Sequence, residues 1–297
     1  MKAHLLIIDP QNDFMDILAG KNDHVGFTVH LPDGADLNFR SGLPVTGALD
    51  DAKRTASLID RIGTKLQKIH VTLDSHHPVD IGHPVFWMDA NGKMPAPMTL
   101  ITADAIEDGT WTTRIPSLRD YALKYARSLE AAGKFQIMAW SLHCLIGTWG
   151  HNVQEDLAKA LDRWSVARVR NVDYVTKGTN VLTEHYGALL AEVPVANDPS
   201  TQLNGRFLQM LQEADIIAVA GEASSHCVKA TVEQVAEHIG EEHIKKFHIL
   251  TDCMSPVPAI TAPDGTVIVD FPAIAEQFQQ DMAARGMTLT TSAEFLA

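Results

Sequence analysis

Cysteine is scarce: 297 residues contain only Cys144, Cys227 and Cys253, an odd number at wide spacing. That argues against a disulfide framework and suits free thiols in a reducing compartment. Positive charge is also short, with 24 Lys plus Arg against 37 Asp plus Glu and a formal charge of -13. The negative excess repels phosphate backbones and anionic lipid, which speaks against nucleic acid and membrane surfaces as partners. No apolar run is long enough to span a bilayer. The opening Met1-Lys2-Ala3-His4 runs straight into an apolar strand, leaving no room for a signal-peptide core. The expected location is the cytoplasm.

What the chain does have is enough apolar sequence, 45% against 21% charged, to build one large core. Short apolar runs ending in a polar residue recur at His4 to Asp9, Ile69 to Asp74, Phe135 to Trp140, Asp215 to Gly221 and Phe247 to Asp252. They read as buried parallel strands. Helical spacing appears between them at Asp50 to Gln67, Asn152 to Trp164, Thr201 to Glu213 and Val228 to Ile239. The alternation predicts an α/β fold, a doubly wound and mostly parallel sheet with helices on both faces. Ligands of such sheets gather beyond the carboxyl ends of the strands, where Asp9, Asp74, Trp140 and Gly221 fall. No linker or repeat divides the chain, so residues 1–297 read as a single domain. Two long segments, near 15–46 and 91–119, read as insertions over the site.

Cys227 follows a strand and a polar turn, Glu222-Ala-Ser-Ser-His226, and precedes a helical segment. A thiol at a helix N-terminus is expected to have a lowered pKa, and the free amides there could hold an oxyanion. The plainer alternative is a buried structural cysteine, which is how Cys253 reads. Asp9 and Lys177 sit at other strand ends and could supply a proton acceptor and a positive neighbour; each could equally be a turn residue or a surface charge. Between Asp74 and His83 the sequence packs two carboxylates and three histidines into one loop, Asp74-Ser-His-His-Pro-Val-Asp-Ile-Gly-His83. His143, in Trp140-Ser-Leu-His-Cys144, lies after another strand. Capping and surface histidines are the plain alternative, but the clustering favours a divalent metal, zinc first and iron or manganese as alternatives. His151, His185, His238, His243 and His248 lack such company and read as exposed or structural.

In order along the chain, from residue 4 to about 255, these segments resemble the nicotinamidase and isochorismatase-like cysteine hydrolase superfamily. Ile8-Asp9-Pro10-Gln11-Asn12-Asp13-Phe14 is similar to its first-strand motif, Val175-Thr176-Lys177-Gly178-Thr179 to its lysine segment, and Gly221-Glu-Ala-Ser-Ser-His-Cys-Val228 to its nucleophile turn. The resemblance implies the isochorismatase-like hydrolase fold, with Asp9, Lys177 and Cys227 as catalytic residues. It also implies a cis peptide at Glu222-Ala223 and oxyanion amides at Ala223 and Cys227. Its nicotinamidase branch implies a metal held by Asp74, His76, His83 and His143, and a flat ring walled by Phe14, Trp87 and Trp140. The activity implied is hydrolysis of a small amide, such as nicotinamide to nicotinate and ammonia, through a Cys thioester. The partner is a small-molecule amide, and a homo-oligomer is among the expectations.

The sequence departs from the superfamily pattern in places. The doubled His76-His77 makes His77 an alternative ligand, Ser141 stands in place of a proline, and Ser225-His226 replace a frequent acidic-aromatic pair. An isochorismatase-type or carbamoyl-amide hydrolase on the same scaffold, and a non-catalytic metal-binding scaffold protein, are the competing readings.

Overall fold

The computed structural model describes residues 1–17, 27–30, 36–39, 42–133, 135–262 and 264–297. Six strands form one sheet: β1 Ala3–Ile8, β2 Leu66–Asp74, β3 Asp173–Lys177, β4 Ile216–Gly221, β5 Phe247–Leu250 and β6 Thr288–Thr290. Every pairing is parallel, and the order is β6-β5-β4-β1-β2-β3. The helices of eight residues or more are α1 Ala48–Ile62, α2 Arg119–Ala132, α3 Glu155–Arg168, α4 Gly205–Gln212, α5 Cys227–His238 and α6 Phe271–Ala284. The expected doubly wound sheet is therefore present.

Its two faces follow from the pleat, because successive side chains of a strand point to opposite sides. Leu5 and Ile7 of β1 join Ile69, Val71, Ala218 and Ala220 in a core closed by Leu58, Ile59 and Ile62 of α1 and by Leu157, Leu161 and Trp164 of α3. Leu6 and Ile8 face the other way, into a core with Ile217, Val219, Phe207 of α4, Val232 and Val235 of α5, and Phe278 and Met282 of α6. Strands buried on both faces read as continuous apolar runs, as β1 and β4 do.

Several expected bounds shift for local reasons. The helix begun near Asp50 ends at Ile62, and Leu66 and Gln67 already belong to β2. Glycine at position 63 marks the break. Asn204 accepts the amide of Phe207 and starts α4 four residues later than the spacing suggests. The Phe135 to Trp140 run is a correction of topology. Its strand, Ile137–Ala139, pairs antiparallel with Thr99–Ile101 and lies outside the six-stranded sheet. A buried apolar run carries the same pattern in either pairing, and the partner comes from the 91–119 segment. That segment is not a plain loop, since Ile101, Ala103 and Ile106 pack with Ala122, Tyr125 and Leu129 of α2. Of the 15–46 segment, residues 18–26, 31–35 and 40–41 lie outside those described, while Phe27–His30 and Asp36–Phe39 form an antiparallel pair.

Gly221 closes β4 at φ 118°, where an added Cβ would fall 2.0 Å from the Ile8 carbonyl oxygen. This close approach lets the Glu222 amide reach Ile8 O at 2.8 Å. Gly221→Ala is expected to cost roughly 2–4 kcal/mol of stability by denaturant titration; an unchanged midpoint would contradict the tight packing of β1 on β4. A second test uses the buried His4, whose Nδ1 lies 3.2 Å from Nε2 of His70, which in turn pairs through Nδ1 with Asp173 at 2.8 Å. Burial and then His70 push His4 down to about 4, below the ordinary 6.5 of an unfolded histidine. As pH falls through that window the unfolded chain takes up a proton that folded His4 refuses. Stability should drop there by about 1.4 kcal/mol per pH unit for this group. Urea midpoints measured from pH 7 to pH 4 should lose that share of their slope in His4→Asn.

Candidate active site

In a sheet ordered this way the connections diverge between β1 and β4, which opens a crevice beyond their carboxyl ends. Asp9 follows β1, Asp74 ends β2, Lys177 ends β3, and the turn after β4 leads to Cys227 at the start of α5. Four sequence-distant residues thus arrive at one place.

Lys177 is the hub. Its buried Nζ lies 2.9 Å from Asp9 Oδ2, 3.0 Å from Asp74 Oδ1 and 3.0 Å from the His185 carbonyl oxygen, with Cys227 Sγ at 3.7 Å. Its three protons are directed at Asp74 Oδ1, the His185 carbonyl and Cys227 Sγ, and Asp9 Oδ2 is held beside it as an ion pair. Burial alone would discharge the lysine, but Asp74 and Asp9 outweigh it and hold Lys177 well above its ordinary range. Asp9 has φ 45°, in the left-handed region that few aspartates adopt. Thr72 fixes it there, its Oγ1 donating to Asp9 Oδ1 at 2.6 Å and accepting the Asp9 amide at 3.0 Å. Burial raises the Asp9 carboxyl against the pull of Lys177.

The thiol corrects one expectation. Cys227 does open a helix, but burial pushes its pKa well above the free value; Lys177 opposes this, while Asp9 and Asp74 add to the rise. The resting sulfur is a thiol. It needs a base, and carboxylate oxygens of Asp9 and Asp74 lie within 4.8 Å of it. The peptide Glu222-Ala223 is cis. The amides of His226 and Val228 donate to Ala223 O at 3.0 and 3.1 Å, and the Cys227 amide between them heads the helix. Cys144 and Cys253 are buried thiols, Cys253 pushed by burial up to about 12.

Asp74 turns its second oxygen to another cluster, with Oδ2 3.1 Å from His76 Nε2 and 3.4 Å from His143 Nε2. Donor atoms of His76, His83 and His143 lie within 4.8 Å of one another. Each ring is oriented through Nδ1: His76 to Asp80 Oδ2 at 3.2 Å, His83 to the His77 carbonyl at 3.1 Å and His143 to the Ser141 carbonyl at 2.8 Å. A carbonyl or carboxylate can only accept, so all three Nδ1 atoms carry protons. His76 Nε2 faces a second acceptor, Asp74 Oδ2, and although burial opposes it, Asp74 and Asp80 together hold the His76 ring well above the ordinary histidine range, so an ion here would take the place of its Nε2 proton. His83 Nε2 is buried without a partner. Three imidazole nitrogens and a carboxylate oxygen, oriented from behind by oxygen acceptors, fit a zinc-like divalent ion. Of the two adjacent histidines, His76 lies in the cluster with His83 and His143, whereas His77 is exposed and offers only its carbonyl.

The cleft over Cys227 is walled by Phe14, Trp140, Tyr186, His226 and Val257, with Leu43 and Val45 from the 15–46 segment. Phe14 and Trp140 stand where a ring wall was expected. Trp87 does not. It is fully buried beside Ile81 and Phe86, its indole N–H donating to Ile81 O at 2.8 Å, and it belongs to the core under the second insertion. His185 is the reverse case, a histidine expected to be structural that lines the cleft. Glu184 lines it too, pushed up to about 8 by burial and by Asp80, with Oε1 buried and unpartnered. Its only sequence signal was nearness to Lys177.

No protein-family model matches the chain, and no curated protein matches it by sequence. Solved structures do. The yeast nicotinamidase Pnc1p superposes with a TM-score of 0.57 at 19% identity, covering 97% of this chain and 99% of that one. An Acinetobacter baumanii nicotinamidase/pyrazinamidase gives 0.54 at 18% identity, covering 99% and 98%. A Pyrococcus horikoshii pyrazinamidase in complex with zinc gives 0.51 at 15% identity, covering 98% and 99%. The likeness at such identity is one of fold, and the fold is the one the resemblance implied. Among the described residues no helix is long and apolar enough to cross a membrane.

Zinc titrated into the purified protein is expected to bind as one equivalent, and Asp80→Ala, which releases the His76 ring, to weaken it by about 10–100-fold in calorimetry. Equal affinity in the variant would remove His76 from the ligand set.

Proposed function

We propose that this chain is a cysteine amidohydrolase that cleaves a small ring-bearing amide, with nicotinamide, giving nicotinate and ammonia, as the first substrate to test. The observation that carries the reading is the buried ammonium of Lys177 in contact with Asp9, Asp74 and Cys227 at once. A buried lysine bracketed by two carboxylates and a thiol is costly unless the charges do work together. The neighbours named as nicotinamidases and pyrazinamidases share the fold and so make the substrate class a natural one.

In this mechanism Asp9 takes the proton of Cys227 Sγ, while Lys177 stabilises the thiolate that forms. The sulfur adds to the amide carbonyl. The oxyanion accepts hydrogen bonds from the amides of Ala223 and Cys227, an arrangement whose loss costs about 3 kcal/mol of barrier in comparable sites. Asp9 then returns the proton to the departing nitrogen, which leaves as ammonia, and the carbonyl carbon remains bonded to sulfur as a thioester. Water, deprotonated by Asp9, adds to that carbon, and the acid departs as the thiol is restored. A divalent ion held by Asp74, His76, His83 and His143 would supply a Lewis-acidic anchor for a ring nitrogen or an ordered water. Phe14 and Trp140 would flank the ring. The histidine cluster is what favours this reading over an isochorismatase-type hydrolase, which has no use for such a ligand set. A small-molecule substrate accounts for the narrow cleft.

Ammonia release from nicotinamide should be abolished in Cys227→Ala and reduced by about 10²–10⁴-fold in Asp9→Asn, with circular dichroism unchanged. Hydrolysis retained in Cys227→Ala would exclude the covalent route. Absence of release from the zinc-loaded wild type, with Cys227 still alkylated by iodoacetamide, would reject nicotinamide and redirect the assay to other amides.

A further inference from the structure

The cleft presents more hydrogen-bond donors than the hydrolysis uses. Tyr186 accepts the indole N–H of Trp140 on its hydroxyl oxygen at 2.9 Å, which leaves its own proton without an acceptor among the described residues. His226 is fixed by a two-step relay. Ser225 Oγ accepts the Val257 amide at 3.1 Å and lies 2.9 Å from His226 Nδ1. The buried serine hydroxyl has no other acceptor for its proton among the described residues, so it donates to Nδ1, which places the imidazole proton on Nε2. No acceptor among the described residues takes it. Tyr186 and His226 are 7% and 6% exposed, their ring centroids are 6.0 Å apart, and both line the cleft beside Cys227. Around the imidazole stand Trp140 at 5.3 Å and Phe271 at 4.6 Å, which keep it in apolar surroundings.

We propose that the Tyr186 hydroxyl and His226 Nε2 form a two-donor subsite for an acceptor oxygen that the substrate carries in addition to its scissile amide. The inference rests on reading the cleft as an amide hydrolase site, and it narrows the substrate to an oxygen-substituted ring amide. Its logic is that of any site built to hydrogen-bond a substrate group: an analogue lacking the oxygen leaves two buried donors unmet and is rejected for that reason. Burial keeps His226 neutral, pushed down to about 4, so the subsite offers a second dipole beside the hydroxyl and adds no charge. At this position the family resemblance would have led one to expect a plain aromatic side chain.

The test measures binding separately from turnover. Nicotinamides carrying a hydroxyl or, as a size control, a methyl group at each free ring carbon are titrated into the zinc-loaded Cys227→Ala protein by calorimetry. The hydroxyl compound should be preferred by about 10-fold or more at one ring position. That preference should fall to about one in Cys227→Ala/His226→Phe, fall partway in Cys227→Ala/Tyr186→Phe, and return in Cys227→Ala/His226→Gln, whose amide is again a donor. A ratio near one at every position, or a preference that survives His226→Phe, overturns the subsite. Should His226→Phe fail to fold, the Gln and Tyr186→Phe proteins decide by the same ratio. Turnover of the same compounds by the Cys227 protein is scored apart. Hydrolysis without the preference overturns the subsite alone, whereas preferential binding of amides that are never hydrolysed overturns the hydrolase reading and leaves the donor pair standing.

Discussion

An ammonium group sealed from water needs its full complement of negative partners, and the arrangement around Lys177 is the consequence. Nζ meets two carboxylates and one carbonyl within 3.0 Å. Three strands must end at matching heights for this to happen, since Asp9, Asp74 and Lys177 close β1, β2 and β3 in turn. The β2–β3 register pairs Asp74 with Lys177 directly. Gln11 secures the same level by a reciprocal pair with the Asp74 backbone, donating to its carbonyl at 2.8 Å and accepting its amide at 2.7 Å. Shift any one strand by a residue and the side chains would change face.

Cys227 arrives from the other side of the crevice. Gly221 lets β4 press against the end of β1, and Glu222 continues the contact by bonding to Ile8 O before the chain turns into α5. This divides the labour between the two halves of the sheet. The β1-β2-β3 side supplies charge and, through the loop after Asp74, the imidazoles; the β4 side supplies sulfur and backbone amides. His143 is brought in by a third route, a bridge in which the His76 amide donates to Cys144 O at 3.1 Å and the Ile146 amide to His76 O at 3.1 Å.

Much of this was legible in the sequence because parallel strands write themselves as apolar runs with a polar full stop, and the full stops are the site. Asp9, Asp74 and Lys177, which the structure brings together, stood out as strand ends, Cys227 as the residue between a polar turn and a helix, His76 and His83 by their density, and His143 by its place after an apolar run. Trp87 was misjudged because an aromatic beside a strand looks the same whether it faces a cleft or a core. The pairing of Ile137–Ala139 was misjudged for a related reason, since its partner lay in a segment read as a loop. The thiol of Cys227 was expected to be acidic from helix position alone, and burial beside two carboxylates reversed the sign. His185, Tyr186 and His226 carried no periodic or clustered signal, because what makes them polar walls is the tautomer or hydroxyl orientation imposed by neighbours far away in sequence.

The three imidazoles around Asp74 are oriented by a carboxylate and two main-chain carbonyls, all set when the chain folds. The cost of freezing those side chains is therefore settled before any ion arrives, and little remains to be ordered on entry. A cage prepared in this way has little freedom to contract or expand around its guest. Any discrimination among ions that such a cluster exercised would then be a property of the path of the backbone, written by where the loop from Asp74 to His83 turns.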